Sequence, residues 1–240
     1  MKRILVILLV LASVSTMFAK ELVGAIGLAL PPYVITSSNS GIEYDIVKET
    51  LGMSNYTLKP MYVPFKRVKH SLETGKADLA LTLNESSGLK NVYYSDSHIT
   101  YQNVVITLKN SNIKVNNLND LSKLSIAAFQ DAKLYLGKSF KNMADNNSEY
   151  SEIASQDRQI VLLYKKRVQA LVMDINIFKY YRERNKLCDT SAEYTVHKIF
   201  PETHYKVAFR DKIIRDQFNK NLKKLISSGE KEKIIGRYIK

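Results

Sequence analysis

The chain contains almost no cysteine. Cys188 is its one thiol, so the protein cannot form an internal disulfide even in an oxidising compartment. Cys188 lies in a predicted connection between a helix and a strand, and the favoured interpretation is a partly buried small residue without a redox role. The 240 residues are nevertheless enough to bury a large core, in one large or two modest domains.

Long hydrophobic runs are missing after the first nineteen residues. Lys2 and Arg3 precede an apolar run over residues 4–12, which is too short to span a membrane, and Ala19 is a plausible cleavage point. We interpret residues 1–19 as a secretory signal peptide. We therefore expect an exported, periplasmic protein that is soluble after cleavage.

Acidic residues are fewer than basic ones, 23 against 36, which gives a formal net charge of +13. The basic residues near the C-terminus are interleaved with Asp216, Glu230 and Glu232, a pattern typical of the solvated face of helices. Because the chain is predicted to be exported, nucleic acid is not an expected partner.

Signatures of catalysis and of bound cofactors are also missing. The four histidines have no metal-ligand spacing, and no glycine-rich phosphate loop occurs. Ser87 and Lys90 match the Ser-x-x-Lys pattern of penicillin-interacting enzymes, but the Ser-Asp-Asn and Lys-Thr-Gly companions of that pattern are not there. We expect no metal, no cofactor and no enzymatic activity.

The most informative pattern that is present runs over residues 63–96. Phe65, Val68 and Leu72 recur at helical spacing, and Gly75 follows as a helix stop. Residues 77–83 are nearly all apolar, as expected of a parallel strand that is covered on both faces. This pattern predicts a short amphipathic helix followed by a buried strand.

Strands alternate with helices along the rest of the chain, which predicts an α/β protein with mostly parallel sheets. Asp45 is expected to be a helix N-cap. The predicted strands are 22–30, 56–63, 101–108, 124–128, 168–173 and 205–209. The predicted helices are 132–143, 157–166, 175–186 and a long amphipathic helix after residue 209.

The pattern over residues 63–96 resembles that of the family 3 extracellular solute-binding proteins, the amino-acid-type receptors of ABC importers. The C-terminal segment FNKNLKKLISSGEKEKIIGRYIK also resembles the end of that family, so the likeness covers essentially the whole chain after the signal peptide. The resemblance implies a type II periplasmic-binding-protein fold, in which two α/β lobes close by hinge bending around a ligand. Residues 20–108 and 200–240 would form lobe 1, and residues 109–199 would form lobe 2.

The resemblance also implies ligand-binding positions. Tyr33 and Phe65 match aromatic walls of the cleft. From the sequence alone, Tyr33 could equally be a surface residue that anchors a loop, and Phe65 could equally be a core residue. Thr82 lies where family members bind a ligand carboxylate. Asp174 ends a predicted strand where the family binds the ligand's amino group, and it can also cap the next helix. Gln130 falls where a loop presents backbone amides.

Two positions depart from the family pattern. The arginine that binds a ligand carboxylate is missing, and Lys90 or Gly88 stands there, depending on the register chosen. Lys90 can pair with a carboxylate only as a point charge, and a solvated lysine is the alternative. Gln130 and Asp131 replace the usual Gly-Ser/Thr pair. Both departures argue against a standard α-amino acid as the ligand.

We therefore expect a monomeric solute-binding protein that captures a small polar ligand, amino-acid-like or a small organic molecule, for an ABC permease. One alternative is a ligand-sensing subunit for a membrane signalling protein. The other is a periplasmic cyclohexadienyl-type dehydratase, for which Glu43, Glu85 or Asp174 would supply the acid or base.

Overall fold

The structure is a computed structural model that describes residues 19–28 and 30–239. The predicted signal peptide lies outside the described residues except for Ala19. Within the described part of the chain, no helix combines the length and the apolar character needed to cross a membrane.

Eight of the described strands form one continuous series of hydrogen-bonded neighbours, and two more pair at its side. In chain order they are β1 Lys20–Gly27, β2 Tyr56–Val63, β3 Leu79–Leu83, β4 Tyr93–Tyr94, β5 Ile99–Leu108, β6 Ile126–Phe129, β7 Tyr150–Ile153, β8 Ala170–Asp174, β9 Tyr194–His197 and β10 Glu202–Phe209. The path is β2-β1-β3-β10-β5-β8-β6-β7, with β4 beside β10 and β9 beside β5. The pairs β1·β2, β1·β3, β6·β7 and β6·β8 are parallel, while β5 and β10 pair antiparallel with their neighbours.

Helices connect the parallel strands and flank the sheets, as an α/β architecture requires. They are α1 Ile42–Gly52, α2 Phe65–Glu73, α3 Ala132–Tyr135, α4 Gly137–Asp145, α5 Gln156–Tyr164, α6 Ile175–Arg184, α7 Lys212–Ser227 and α8 Glu230–Gly236. The apolar face predicted for the long C-terminal helix is buried in α7 at Ile214, Phe218, Leu222 and Leu225. Its N-cap is Asp211.

The long strand β5 belongs to both halves of the molecule. Its first residues, up to Gln102, pair with β10, and from Asn103 onwards it pairs with β8. The strands around β1 and β3 thus form one lobe, and those around β6 and β8 form the other. The boundaries at residues 108 and 200 stay a prediction.

The predicted pattern over residues 63–96 corresponds to α2 and β3. Every residue of β3 is buried, and Val68 and Leu72 are buried on α2. Gly75 has a φ of +73°, as expected of a residue that ends a helix. Phe65 is 44% exposed, so the interpretation of Phe65 as core is wrong. It begins the helix and lies against Gly27 at the carboxyl end of β1.

Two predicted helix positions are wrong. Asp45 is not the N-cap of α1, because Gly41 has a φ of +123° and the helix begins immediately after it. Asp45 lies within the first turn and accepts a hydrogen bond from the Tyr238 hydroxyl. The single helix predicted over residues 132–143 is divided into α3 and α4, because Gly137 has a φ of +87°, outside the right-handed helical region.

Candidate functional site

A buried carboxylate lies where the parallel strands of the first lobe end. Glu43 is in the first turn of α1, and Thr82 is the next-to-last residue of β3. The Thr82 hydroxyl donates to the Glu43 carboxylate, at 2.9 Å from Oε1 and 2.8 Å from Oε2. His98 Nε2 is 3.0 Å from Oε1, and the Tyr101 hydroxyl donates to Oε2 at 3.0 Å. These hydrogen bonds satisfy a carboxyl group that would otherwise be costly to bury.

Thr82 has an unusual backbone conformation, with a φ of +58°. A β-branched residue in this region is strained, at a cost of about 1–3 kcal/mol, and such residues cluster at functional sites. The turn of the chain at Thr82 brings its hydroxyl onto Glu43. The hydrogen bonds to Glu43 help to hold Thr82 in this strained conformation.

Three tyrosine rings extend from the cluster towards the second lobe. The Tyr33 ring stacks on the Tyr101 ring, with centroids 3.8 Å apart and an angle of 16° between the planes. Tyr205 of β10 meets Tyr101 edge-on at 4.9 Å. Tyr33 is fully buried, so its alternative interpretation as a surface residue is wrong.

Asp174 joins the two lobes. Its Oδ1 accepts from the amides of Asn176 and Ile177 at 2.8 and 3.1 Å, which makes it the N-cap of α6. The same oxygen accepts from the Tyr33 hydroxyl at 2.8 Å, and Oδ2 accepts from the amide of Gln102 at 2.8 Å. The capping role expected from the sequence is thus confirmed. A ligand-binding role stays a prediction.

Burial raises the pKa values of the three tyrosines and of Asp174. Burial raises the pKa of the Tyr33 hydroxyl well above its usual value, and the neighbouring Asp174 carboxylate adds to the effect. Burial likewise raises the pKa of Tyr101, together with Glu43, and raises that of Tyr205 to about 12. Burial also raises the pKa of Asp174 above its usual value, although four hydrogen bonds oppose the change. The three hydroxyls therefore stay neutral across the physiological range, and those of Tyr33 and Tyr101 donate to Asp174 and Glu43.

Lys90 lies away from this cluster. It lines a shallow cavity with Gly88, Glu73 and Arg210. Tyr93 of β4, three residues after Lys90, pairs with Phe209 of β10. Phe209 also pairs with Leu79, the first residue of β3. Lys90 and Gly88 thus lie towards the amino-terminal end of β3, whereas Thr82 lies at its carboxyl end.

Gln130 is exposed in the loop between β6 and α3. The amides of Asp131 and Lys133, at the start of α3, donate to the Glu152 carboxylate at 2.8 and 3.0 Å. The backbone amides that the resemblance offers to a ligand here are therefore bonded to a side chain of β7.

Of the six predicted ligand-binding residues, the structure brings three together. Tyr33 and Asp174 are hydrogen-bonded, and Thr82 is joined to them through Glu43 and Tyr101. Sequence reasoning gave no binding role to His98 or Tyr101, and named Glu43 only as a possible acid or base. No local pattern marks these three, because they meet through the pairing of distant strands.

The comparisons with known proteins agree with this architecture. Residues 22–240 match the sequence profile of the bacterial extracellular solute-binding proteins, family 3. The chain belongs to this family. No curated protein matches the chain in sequence. As a family 3 protein, the chain is a solute-binding protein with two lobes of the type II periplasmic-binding-protein fold.

Solved structures with a similar fold include a solute-binding protein, a substrate-binding domain and a sensor domain. An ancestral cationic amino acid solute-binding protein has a TM-score of 0.70 at 19% identity, covering 92% of this chain and 96% of its own. Substrate-binding domain 2 of GlnP from Lactococcus lactis, in its open conformation, has a TM-score of 0.67 at 18% identity, with 92% and 96% covered. A histidine kinase sensor domain with similarity to periplasmic binding proteins has a TM-score of 0.67 at 14% identity, again with 92% and 96% covered. Likeness at these identities concerns the fold.

Proposed function

We propose that this family 3 protein captures a small polar ligand between its lobes, where Tyr33 meets Asp174, and presents it to an ABC permease. The observation that carries the proposal is the 2.8 Å hydrogen bond between these two residues, which are 141 positions apart in the sequence. Asp174 is at the carboxyl end of a parallel strand, the edge at which open α/β sheets bind ligands.

The hinge of this receptor would be at the two segments that connect the lobes. We infer lobes of residues 20–108 with 200–240 and of residues 109–199. The change of partner within β5 supports this division, as does Gln102, whose side-chain amide donates to the Phe200 carbonyl at 2.9 Å. Bending at these two connecting segments allows rigid lobes to close on a ligand.

The arrangement of the acids supports binding rather than catalysis. A general acid or base must reach a proton of the substrate. Glu43 accepts from three side chains and Asp174 from four donors, as described above. Glu85 is exposed and accepts from Lys206 at 2.6 Å. We therefore propose that the protein is an exported, monomeric binder without enzymatic activity.

A second candidate is a ligand-sensing subunit of a membrane signalling protein. The observation that favours it is the fold shared with a histidine kinase sensor domain. Ligand-dependent capture of a permease or of a membrane kinase would distinguish the two roles.

A thermal-shift screen tests ligand capture. The purified protein is heated with amino acids, polyamines, small organic acids and short peptides, and with prephenate as a probe of the dehydratase alternative. A compound at one hundred times its dissociation constant adds about 2.7 kcal/mol to the free energy of unfolding, which raises Tm by roughly 5–10 °C in a domain of this size. We expect a shift with one chemical class. No shift with any class would contradict capture, and turnover of prephenate would contradict the non-enzymatic role.

A further inference from the structure

Two carboxylates are buried at the junction of the lobes, and the His98 ring lies beside one of them. Among the described residues, Glu43 and Asp174 are the buried carboxylates, and no lysine or arginine is buried. Both acids lie in the cluster where Tyr33 and Tyr101 stack. A ligand placed between them meets two carboxylates in a region of low dielectric, where an opposite charge is strongly favoured and a like charge is strongly disfavoured.

Three of the helices that begin at this edge, α1, α3 and α6, have their first amides already bonded. The first amides of α1, at Ile42 and Glu43, donate to the carbonyls of Pro32 and Tyr33. The amides at the start of α3 donate to Glu152, and those at the start of α6 donate to Asp174. Helix N-termini bind anions through unbonded amides, and the amides named here already have partners.

The basic side chains near this edge are paired with an acid, distant or exposed at the surface. Lys206 is level with Leu83 in the sheet, and its ammonium is 2.6 Å from the Glu85 carboxylate. Lys90 lies towards the other end of β3, and Arg67 is on the exposed surface of α2. A ligand carboxylate at the junction would therefore face acids without a matching fork of donors.

His98 has an unused nitrogen in the same cluster. Its ring is fully buried, Nε2 faces Glu43, and Nδ1 has no hydrogen-bond partner. In the neutral ring with its proton on Nε2, Nδ1 is an acceptor. A buried acceptor without a partner costs about 1–3 kcal/mol, and a ligand that donates hydrogen bonds would remove this cost.

We propose that the ligand is a small organic cation without a carboxylate group, and that its ammonium replaces the Tyr33 hydroxyl on Asp174. The inference rests on the proposed function and names the ligand class. An ammonium forms a charge-assisted hydrogen bond with a carboxylate, which is roughly twice as strong as the bond from a neutral hydroxyl. Displacement of Tyr33 uncovers the face of the Tyr101 ring on which it stacks, and that face adds cation–π attraction.

Tyr33 must move for this exchange, because its ring is fully buried and its hydroxyl holds Oδ1 of Asp174. Separation of the lobes breaks this hydrogen bond and frees the carboxylate. Tyr33 thus holds the position on Asp174 that the ligand's donor takes.

Matched pairs of compounds test the ligand class, since each pair differs only in the carboxylate. Isothermal titration calorimetry compares cadaverine with lysine, and agmatine with arginine, on the wild-type protein. We expect each amine to bind at least tenfold more tightly than its parent amino acid. Equal or tighter binding of lysine or arginine would overturn the inference and would point to a basic residue at the cleft rim, such as Arg67.

Two other results separate this inference from the proposed function. Binding of uncharged or anionic compounds alone, in the same titration series, would overturn the cationic ligand and leave capture by the cleft intact. Absence of binding by every class would overturn capture itself, and the ligand class with it.

Discussion

At the scale of single residues, Asp174 combines a structural and a proposed binding role. Its Oδ1 caps α6 and accepts from Tyr33, while its Oδ2 is held by the backbone of β5. The cap fixes the carboxylate at the end of β8, so the charge is presented to the first lobe at a defined position. This double use makes a conservative substitution more informative than a truncation.

The first prediction concerns Asp174→Asn. Asparagine caps helices about as well as aspartate, so α6 should persist while the charge is lost. We expect the affinity for the best compound of the screen to fall by more than tenfold, measured by calorimetry, with helix content unchanged by circular dichroism.

Asp211→Asn is the matched control. Asp211 caps α7 through the amides of Ile213 and Ile214, the same pattern as in Asp174, but it is exposed at the protein surface. Its substitution should leave the affinity unchanged. Equal affinities for wild type and Asp174→Asn would remove Asp174 from the site.

At the scale of elements, the turn between β1 and α1 positions the site. The Gly41 amide donates to the Tyr238 hydroxyl oxygen, and the amides of Ile42 and Glu43 donate to the carbonyls of Pro32 and Tyr33. The start of α1 is therefore bound directly to the segment that carries Tyr33. Glu43 and Tyr33 reach the same cluster because this turn is tight.

Gly41→Ala should disrupt the turn. The residue has a φ of +123°, and a Cβ there would collide with the Tyr33 carbonyl oxygen and lie 2.9 Å from the Val34 amide nitrogen. We expect the free energy of unfolding to fall by at least about 2 kcal/mol, measured by urea denaturation.

Gly52→Ala at the other end of α1 provides the comparison. No atom lies within 4 Å of a Cβ at this position, so alanine should leave stability unchanged or raise it by up to about 1 kcal/mol. A similar loss in both variants would show that the conformation of Gly41 is not the cause.

At the scale of the whole molecule, neutral tyrosines help to join the lobes. Tyr33, Tyr101 and Tyr205 have pKa values raised chiefly by burial, that of Tyr205 to about 12. Unfolded tyrosines ionise near pH 10. Above that pH the unfolded state binds fewer protons than the native state, so the free energy of unfolding falls as pH rises, by about 1.4 kcal/mol per pH unit for each such tyrosine.

Tyr33→Phe should therefore change the alkaline response. The variant loses a hydrogen bond to a carboxylate, at a cost of about 1.5–3 kcal/mol below pH 10, and it no longer contributes a titrating hydroxyl. Urea denaturation between pH 9 and 11.5 should show parallel curves near pH 9 and, above pH 10, a slope that becomes smaller than in wild type by an amount approaching about 1.4 kcal/mol per pH unit. Curves that stay parallel above pH 10 would contradict a native state that holds Tyr33 protonated.

A residue of the candidate site was predictable where its role follows from the strand and helix next to it in the sequence. Asp174 ends an apolar strand and precedes a helix, so its cap follows from local pattern. Lys90 shows the opposite case. Its spacing from Asp78 suggests a position in the cleft, but the chain after β3 runs back towards the amino-terminal end of that strand before β4 begins. The path of a loop depends on what it packs against, so it cannot be read from the spacing of residues in the sequence.

By itself, the sequence determined the α/β class, the family, the buried strand β3 and the capping of α6, because periodicity and helix caps are local properties. The tertiary structure alone decided that Glu43, His98 and Tyr101 form one buried network and that Tyr33 closes onto Asp174. It also decided that Glu152 takes the amides of α3. These contacts join residues from distant strands, and only the order and register of the sheet bring them within hydrogen-bond distance.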